Sequence, residues 1–289
     1  QYNWHMPIIE KGMNNMADCS NCPSRNNCNS QDTCTIKNNP NNHVKNIIGV
    51  MSGKGGVGKS TVATLIAKEL NEKGYKVGVM DADVTGPSIP RLLQVDKERA
   101  VANSEGMLPV VTEDGIKVMS LNLLLDDEDK PVIWRGPIVS GIVQQFWTDV
   151  IWGELDYLII DMPPGTGDVA LTVMQSIPIT GLIIVSLPQD MVSMIVAKAV
   201  NMANTLNIPV LGVVENMSYV MCPDCNTKIK IFDGENTSNF LKEYQLELLG
   251  ELPMVKGIAN IPKEGSKNLS QEVKSTFEKI ANRIIDQGN

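Results

Sequence analysis

The stretch MSGKGGVGKST, residues Met51 to Thr61, decides the fold of this 289-residue chain. From Gly53 to Ser60 it has the spacing G-x-x-x-x-G-K-S, between an aliphatic run and an amphipathic one. Closely spaced glycines let a backbone turn tightly and direct its N–H groups at phosphate oxygens, and a following helix adds its dipole. The stretch therefore predicts a phosphate-binding loop between a strand and a helix.

The pattern assigns a chemical task to most polar side chains of this loop. Lys59 is expected to reach the β- and γ-phosphates, Ser60 to offer its hydroxyl to Mg²⁺, and Thr61 to help hold the α-phosphate. The expected nucleotide-binding residues of the loop are Gly53, Lys54, Gly55, Gly56, Val57, Gly58, Lys59, Ser60 and Thr61. Lys54 is the residue that this pattern alone does not explain.

Aliphatic runs recur along the chain and alternate with helical patterns. The runs are NIIGVM, KVGVMDAD, DYLIIDMP, GLIIVSLP, PVLGVVEN and LELLGELP, which begin at residues 46, 76, 156, 181, 209 and 246. Such runs are typical of strands buried on both faces of a parallel sheet. Between the first two, residues 60–71 predict a helix with one apolar face, made of Val62, Leu65, Ile66 and Leu70. Repeated βα units predict an α/β fold, a three-layer sandwich with a mainly parallel, doubly wound sheet.

Acidic residues end two of these predicted strands. Asp161 ends DYLIID, as an aspartate that holds Mg²⁺ directly or through water does, and residues 163–167 form a turn able to sense the γ-phosphate. Asp81 and Asp83 end VGVMDAD. We expect Asp83 to orient the attacking water and Asp81 to be a second acid of the site. For each of the two, a role as only a cap or turn residue stays open as the alternative.

Composition limits the possible functions. The chain is 43% hydrophobic but only 4% aromatic, so its core is expected to be aliphatic. The net charge of −8 argues against a nucleic-acid partner, and no apolar run approaches the length of about 18 residues that a membrane span needs. Without an export signal, we expect a cytoplasmic protein whose cysteines are reduced and available to metals.

The change in composition along the chain predicts two parts. Residues 1–44 form a polar, Cys-rich extension, which is expected to be irregular and whose first residues, QYNWHM, are similar to a cloning remnant. Residues 45–289 carry the nucleotide-binding domain and, near its C-terminal end, the sequence CPDC.

The extra lysine leads to a resemblance. K-G-G-V-G-K-S resembles the deviant Walker A motif of the P-loop ATPases that include MinD, ParA and the nitrogenase iron protein, in which a lysine reaches across a dimer interface to the partner's nucleotide. The motifs DADVTGPSIPRLL, WRGPIVSGIVQQF, DYLIIDMPPGTGD, GVVENMSY and CPDC resemble, in order, the Mrp/ApbC subfamily of iron–sulfur cluster carriers, over about residues 46–262.

The resemblance implies a function and further site residues. It implies a homodimeric ATPase that joins through the nucleotide face and the CPDC loop, and that hands an iron–sulfur cluster to apoproteins. Lys54, Lys59 and Asp83 would be catalytic, and Ser60 and Asp161 would hold Mg²⁺. Asn216 would contact adenine, with a residue near Pro253 flanking the base.

The pair Cys222 and Cys225 is the chemical centre of this interpretation. C-x-x-C places two thiolates where one metal or cluster can accept both, and a two-fold dimer would supply four. The subfamily is understood to bridge a [4Fe–4S] cluster in this way. Zinc, or a structural or redox pair, stays open as an alternative.

A second cysteine set lies in the extension, at Cys19, Cys22, Cys28 and Cys34. Four thiols in a short polar segment suffice for one cluster or one metal ion. An iron–sulfur cluster, zinc and an unmetallated arm are the three possibilities.

Two related functions compete with the carrier. A MinD/ParA-type positioning or partitioning ATPase would need an amphipathic membrane helix or a basic DNA surface. The C-terminal segment, with Val273, Phe277, Ile280 and Ile284 on one face, instead indicates a packed terminal helix. A nitrogenase-like reductase would have cluster cysteines widely separated in sequence, which a single local CPDC does not match.

Overall fold

A computed structural model describes residues 38–84, 86, 88–125, 136–190, 194–222, 224–225, 227–230, 235–255, 258, 261 and 269–288. The four N-terminal cysteines and the acidic stretch 126–130 lie outside the described residues. Within the described part, none of the helices is long and apolar enough to cross a membrane.

The described strands are β1 (His43–Ser52), β2 (Val77–Asp81), β3 (Val101–Ala102), β4 (Met107–Leu108), β5 (Val110–Val111), β6 (Lys117–Met119), β7 (Glu154–Asp161), β8 (Gly181–Ser186), β9 (Val210–Met221), β10 (Lys228–Ile229) and β11 (Leu248–Pro253). The helices are α1 (Lys59–Glu72), α2 (Ile89–Leu92), α3 (Gly136–Thr148), α4 (Asp168–Ser176), α5 (Met194–Thr205), α6 (Glu235–Glu243) and α7 (Gln271–Gly288), with 3₁₀ turns at Leu121–Leu123 and Pro188–Asp190.

Nine strands form one sheet in the order β10-β9-β8-β1-β7-β2-β6-β5, with β11 also paired to β9. Among the described strands of this sheet, six pairings are parallel, and β5 with β6 and β9 with β10 are antiparallel. β3 and β4 form a separate antiparallel pair. All six aliphatic runs are strands of this sheet. The predicted mainly parallel sheet is therefore confirmed.

Two apolar clusters cover the two faces of the sheet and make it the middle of three layers. One face packs on α1 and α7, and the other packs on α3, α4 and α5. The side chains predicted to line one face of the first helix, Val62, Leu65, Ile66 and Leu70, are all buried. The strands turn successive side chains to opposite faces, so both layers of helices bury aliphatic side chains of the same strands.

The fold brings the carboxyl ends of β1, β2 and β7 to one edge, because these strands are parallel neighbours. Asp81 and Asp161 are register partners across β2 and β7, and Val50 faces Asp161 across β1 and β7. The division into residues 1–44 and 45–289 stays a prediction.

Candidate functional site

The phosphate-binding loop connects the end of β1 at Ser52 to the start of α1 at Lys59. Gly56 and Gly58 have φ angles of 78° and 83°, which L side chains rarely adopt. Gly53 has a different need for glycine, because a Cβ there would lie 2.5 Å from Ile195 of α5. Backbone conformation therefore requires glycine at positions 56 and 58, and lack of space for a side chain requires it at position 53.

Lys59 lies at the centre of a group of carboxylates. Its ammonium is 2.6 Å from Asp161 Oδ1 and 3.5 Å from Asp83 Oδ2. Lys59 is 5% exposed and Asp161 is fully buried. The structure therefore brings together the loop lysine and two of the three strand-end acids that the sequence singles out.

Asp161 has the chemistry of a magnesium ligand. Its Oδ2 is buried and has no hydrogen-bond partner among the described residues. Burial raises the pKa of Asp161, while the Lys59 ammonium and the Ser60 hydroxyl oppose that rise. An unsatisfied carboxylate oxygen beside a serine hydroxyl is a fitting donor set for Mg²⁺, which prefers hard oxygen ligands.

Asp81 organises the segment that follows β2. Its carboxylate accepts hydrogen bonds from the Asp83 N–H at 3.2 Å, the Ile89 N–H at 3.3 Å and the Ser120 hydroxyl at 3.1 Å. Burial first, and then the charge of Asp161, raise the pKa of Asp81 well above its ordinary value. These contacts match the turn-forming alternative for Asp81. Ser120, one of its donors, was not singled out from the sequence.

The turn after β7 is fixed to the base of the phosphate-binding loop. The Gly165 N–H donates to the Ser52 carbonyl at 2.8 Å, and the Met162 N–H donates to the Val50 carbonyl at 3.0 Å. Gly165 has a φ of 81°. A ligand that displaces the loop would therefore also act on residues 163–167.

Lys54 is half-buried in the same loop, and its carbonyl accepts a hydrogen bond from the Ser52 hydroxyl at 2.9 Å. A small pocket lies beside it, between the loop, the end of β8 and the start of α5. Its lining residues are Gly53, Lys54, Val57, Val185, Ser186, Ile195 and Val196. Sequence reasoning did not find Ser186 or Ile195, because neither stands in a recognisable motif.

Asn216 lies inside β9 rather than at a strand end. Its side-chain amide donates to the Val57 carbonyl at 2.8 Å, and a Cβ at Gly58 would lie 2.3 Å from the amide nitrogen. Asn216 therefore supports the phosphate-binding loop in this structure. Its adenine contact, and the base-flanking residue near Pro253, stay predictions.

Cys222 follows β9 directly, and Cys225 lies on the connection to β10. Cys222 is half-buried, Cys225 is exposed, and both are free thiols. A hydrogen bond to the Thr227 hydroxyl, assisted by backbone and thiol contacts, lowers the pKa of Cys225. Among the described residues, no group of three or more His, Cys, Asp or Glu side chains could hold a metal ion. One chain therefore offers a metal two thiolates at this place, those of Cys222 and Cys225.

Similarity to known proteins covers most of the chain. The family described as "ParA: NUBPL iron-transfer P-loop NTPase" matches residues 43–287. An iron–sulfur cluster carrier protein from Clostridium perfringens is 52% identical over 247 residues, which are 83% of this chain and 86% of that protein. One from Methanocaldococcus jannaschii is 46% identical over 278 residues, 93% of this chain and 96% of that protein.

Solved structures agree with the fold. A nucleotide-binding protein from Archaeoglobus fulgidus, described as a complex with ADP in which Co was found, has a TM-score of 0.69 and 42% identity over 77% of this chain and 87% of its own. The cell division ATPase MinD from Pyrococcus furiosus has a TM-score of 0.60 over 84% of this chain and 99% of its own. Its identity is 20%, so that likeness concerns the fold alone.

Proposed function

Since this chain belongs to the NUBPL-type iron-transfer P-loop NTPases, we propose that it is an ATP-dependent iron–sulfur cluster carrier. It binds and hydrolyses ATP, and it transfers a cluster, its cargo, to apoproteins. The observation that carries this proposal is that one strand connects the phosphate-binding loop to the cysteine pair. β9 contacts the phosphate-binding loop through Asn216 and delivers Cys222 at its end.

The loop and the strand-end acids divide the ATPase chemistry among them. Lys59 leaves its carboxylate partners for the β- and γ-phosphates, whose charge it neutralises, and Ser60 and Asp161 hold Mg²⁺. Asp83 accepts a hydrogen bond from the attacking water and aligns it with the γ-phosphorus. Preorganised charge of this kind supplies most of the catalysis in phosphoryl transfer.

Lys54 and the cysteine pair both require a second subunit. From the partner, Lys54 would approach the phosphates on the side opposite Lys59, as an arginine finger does. The same two-fold axis would bring two further thiolates to Cys222 and Cys225, which completes a four-thiolate site for a [4Fe–4S] cluster or zinc. The homodimer therefore joins through the nucleotide face and the CPDC loop.

Nucleotide and cargo are close enough to influence each other. Cys222 stands six positions after Asn216 on the same chain, a distance of about 20 Å along an extended strand. A change in the phosphate-binding loop reaches the cysteine connection through a single strand of the central sheet. We expect ATP binding or hydrolysis to change how firmly the cluster is held.

The positioning ATPase is the weaker alternative. The apolar face of α7 is buried against the sheet and α1, so it is not presented to a membrane. The carrier relatives are 38–52% identical to this chain, whereas the MinD structures share about 20%. Neither observation supports a membrane or nucleic-acid partner.

Anaerobic reconstitution with iron and sulfide tests the proposal. Wild type, Cys222→Ala/Cys225→Ala and a full-length variant with serine at the four N-terminal cysteine positions are compared by iron, sulfide and visible absorbance. We expect the N-terminal variant to retain a cluster shared by two chains and the Cys222/Cys225 variant to lose it. Retention of that shared cluster without Cys222 and Cys225 would refute the assignment. The difference in iron content between wild type and the N-terminal variant measures any second site.

A further inference from the structure

Thr227 contacts both cysteines of the CPDC pair. Its carbonyl accepts a hydrogen bond from the Cys222 N–H at 3.0 Å, and its hydroxyl oxygen lies 3.1 Å from Cys225 Sγ. Thr227 therefore holds the main chain of Cys222 and the side chain of Cys225.

The strand that begins after Thr227 is itself fixed to the body of the protein. Lys228 pairs with Met221 of β9, and its ammonium lies 2.7 Å from Glu272 of α7 and 4.3 Å from the centre of the Tyr219 ring. The Tyr219 hydroxyl donates to the same glutamate at 2.8 Å. These contacts place Thr227 without help from its own hydroxyl.

A bound metal leaves only one possible direction for the hydrogen bond between Thr227 and Cys225. While Cys225 keeps its proton, either the thiol or the Thr227 hydroxyl can donate across this 3.1 Å contact. A metal-bound thiolate has no proton to donate, so only the hydroxyl can then be the donor. Groups that hydrogen-bond to metal ligands orient them, and their loss typically lowers metal affinity about tenfold or more.

We propose that Thr227 is a positioning residue for the metal-binding pair, whose hydroxyl donates to the Cys225 sulfur when that sulfur binds the cargo. The inference rests on the proposed function, since it assumes that Cys222 and Cys225 hold a metal. It adds a residue outside the C-x-x-C motif to the site. In a two-fold dimer the site would contain two such hydroxyls, one from each chain.

Cobalt is a suitable probe, because thiolate-bound Co²⁺ absorbs through sulfur-to-metal charge transfer. The titration is done without oxygen on the full chain with serine at positions 19, 22, 28 and 34. Thr227→Val keeps the shape of the side chain and removes the hydroxyl, whereas Thr227→Ser keeps the hydroxyl. We expect about tenfold weaker Co²⁺ binding and a charge-transfer band at lower energy for Thr227→Val, and nearly wild-type behaviour for Thr227→Ser.

Two results would overturn the inference. Unchanged affinity and spectrum in Thr227→Val would show that the hydroxyl does nothing for the metal. Equal losses in Thr227→Val and Thr227→Ser would mean that the side chain's packing matters, not its hydroxyl. Failure of the proposed function looks different, because Cys222→Ala/Cys225→Ala would then keep the charge-transfer band. ATP affinity, measured in parallel without added metal, should be the same in all these variants.

Discussion

The side-chain amide of Asn216 donates a hydrogen bond of 2.8 Å to the carbonyl of Val57, so strand β9 supports the phosphate-binding loop directly. Asn216 is 2% exposed, and Gly58 approaches its amide so closely that a Cβ would not fit. Asn216 therefore supports the loop through a contact that does not depend on bound nucleotide.

Asn216→Ala should destabilise the nucleotide-free protein by about 1–3 kcal/mol, because it leaves the buried Val57 carbonyl without its donor. ADP affinity should fall as well, since the loop loses its support and the expected adenine contact disappears. Urea unfolding and calorimetric ADP titration measure the two effects. Asn201→Ala, on the exposed face of α5, is the control. Unchanged stability would mean that the loop needs no support from β9.

Asp161→Asn should remove the advantage that Mg²⁺ gives to nucleotide binding. Asp161 Oδ2 has no hydrogen-bond partner among the described residues and is the buried oxygen expected to bind the ion, for which an amide oxygen is a far weaker ligand. We expect the gain in ATP affinity on adding Mg²⁺ to fall by about tenfold or more. Calorimetry with Mg²⁺ or with a chelator separates this gain from binding itself.

Asp168→Asn is the matched control for that experiment, since Asp168 is exposed at the start of α4 in the same connection. It should leave the Mg²⁺-dependent gain unchanged. If Asp161→Asn also keeps the gain, Mg²⁺ is held elsewhere and the role assigned to Asp161 is wrong.

Glu215 should make stability depend on pH. Burial raises the pKa of its carboxyl, while the hydrogen bond from Ser218 opposes that rise. The folded chain then binds this proton more tightly than the unfolded chain does. Its contribution therefore favours the fold at low pH and is lost as pH rises from the ordinary glutamate range through the raised pKa.

Glu215→Gln keeps an oxygen for Ser218 and removes the titration. Its melting temperature should exceed that of wild type near neutral pH and match wild type near about pH 4. Glu243→Gln, at an exposed position of α6, should show no such difference. A Glu215→Gln advantage that persists unchanged at low pH would refute the pH argument.

Phe277 distinguishes a packed terminal helix from a membrane anchor. Its ring is 2% exposed in the same apolar cluster as α1. Phe277→Ala should lower the free energy of unfolding by about 3–5 kcal/mol, whereas Lys279→Ala on the exposed face should change it by less than about 0.5 kcal/mol. Sedimentation with anionic vesicles should detect no binding by wild type. Vesicle binding that Phe277→Ala abolishes without loss of stability would favour a positioning ATPase.

The sequence could predict those strands and loops whose signals lie within a short stretch of residues. Continuous aliphatic runs gave all six central strands, and the glycine spacing gave the loop between Ser52 and Lys59, because both signals are local. The short strands β3, β4, β5, β6 and β10 were missed, since two or three residues show no periodicity.

The remaining features of the site come from contacts between distant positions. Ser120 meets Asp81 from 39 residues away, and Asn216 meets Val57 from 159 residues away. No spacing rule joins such pairs, so only the folded sheet could show that Asp81 organises a turn and that Asn216 supports the loop. The N-terminal cysteines lie outside the described residues, so their metal site stays a prediction.

Lys54 allows the predicted dimer to be tested by mixing two inactive proteins. Lys54→Ala should bind ATP nearly as wild type does but hydrolyse it about a thousandfold more slowly, the effect expected of a cation supplied in trans. Asp83→Asn should also be inactive, because its own site cannot orient water. In a mixed dimer, however, the Lys54→Ala subunit has its own Asp83 and receives Lys54 from the Asp83→Asn subunit.

Random exchange of the two variants makes about half of the dimers mixed, and each has one complete site out of two. The mixture should therefore recover about a quarter of wild-type turnover, measured as phosphate release after both proteins are incubated together with ATP. Lys59→Ala replaces Lys54→Ala in the control mixture. Lys59 acts in the site of its own subunit, so the Asp83→Asn subunit cannot supply it to the Lys59→Ala subunit. Both sites of the mixed dimer then lack one residue, and that mixture should stay inactive. A Lys54→Ala and Asp83→Asn mixture that stays equally inactive would place Lys54 in its own subunit's site and remove the chemical reason for the dimer.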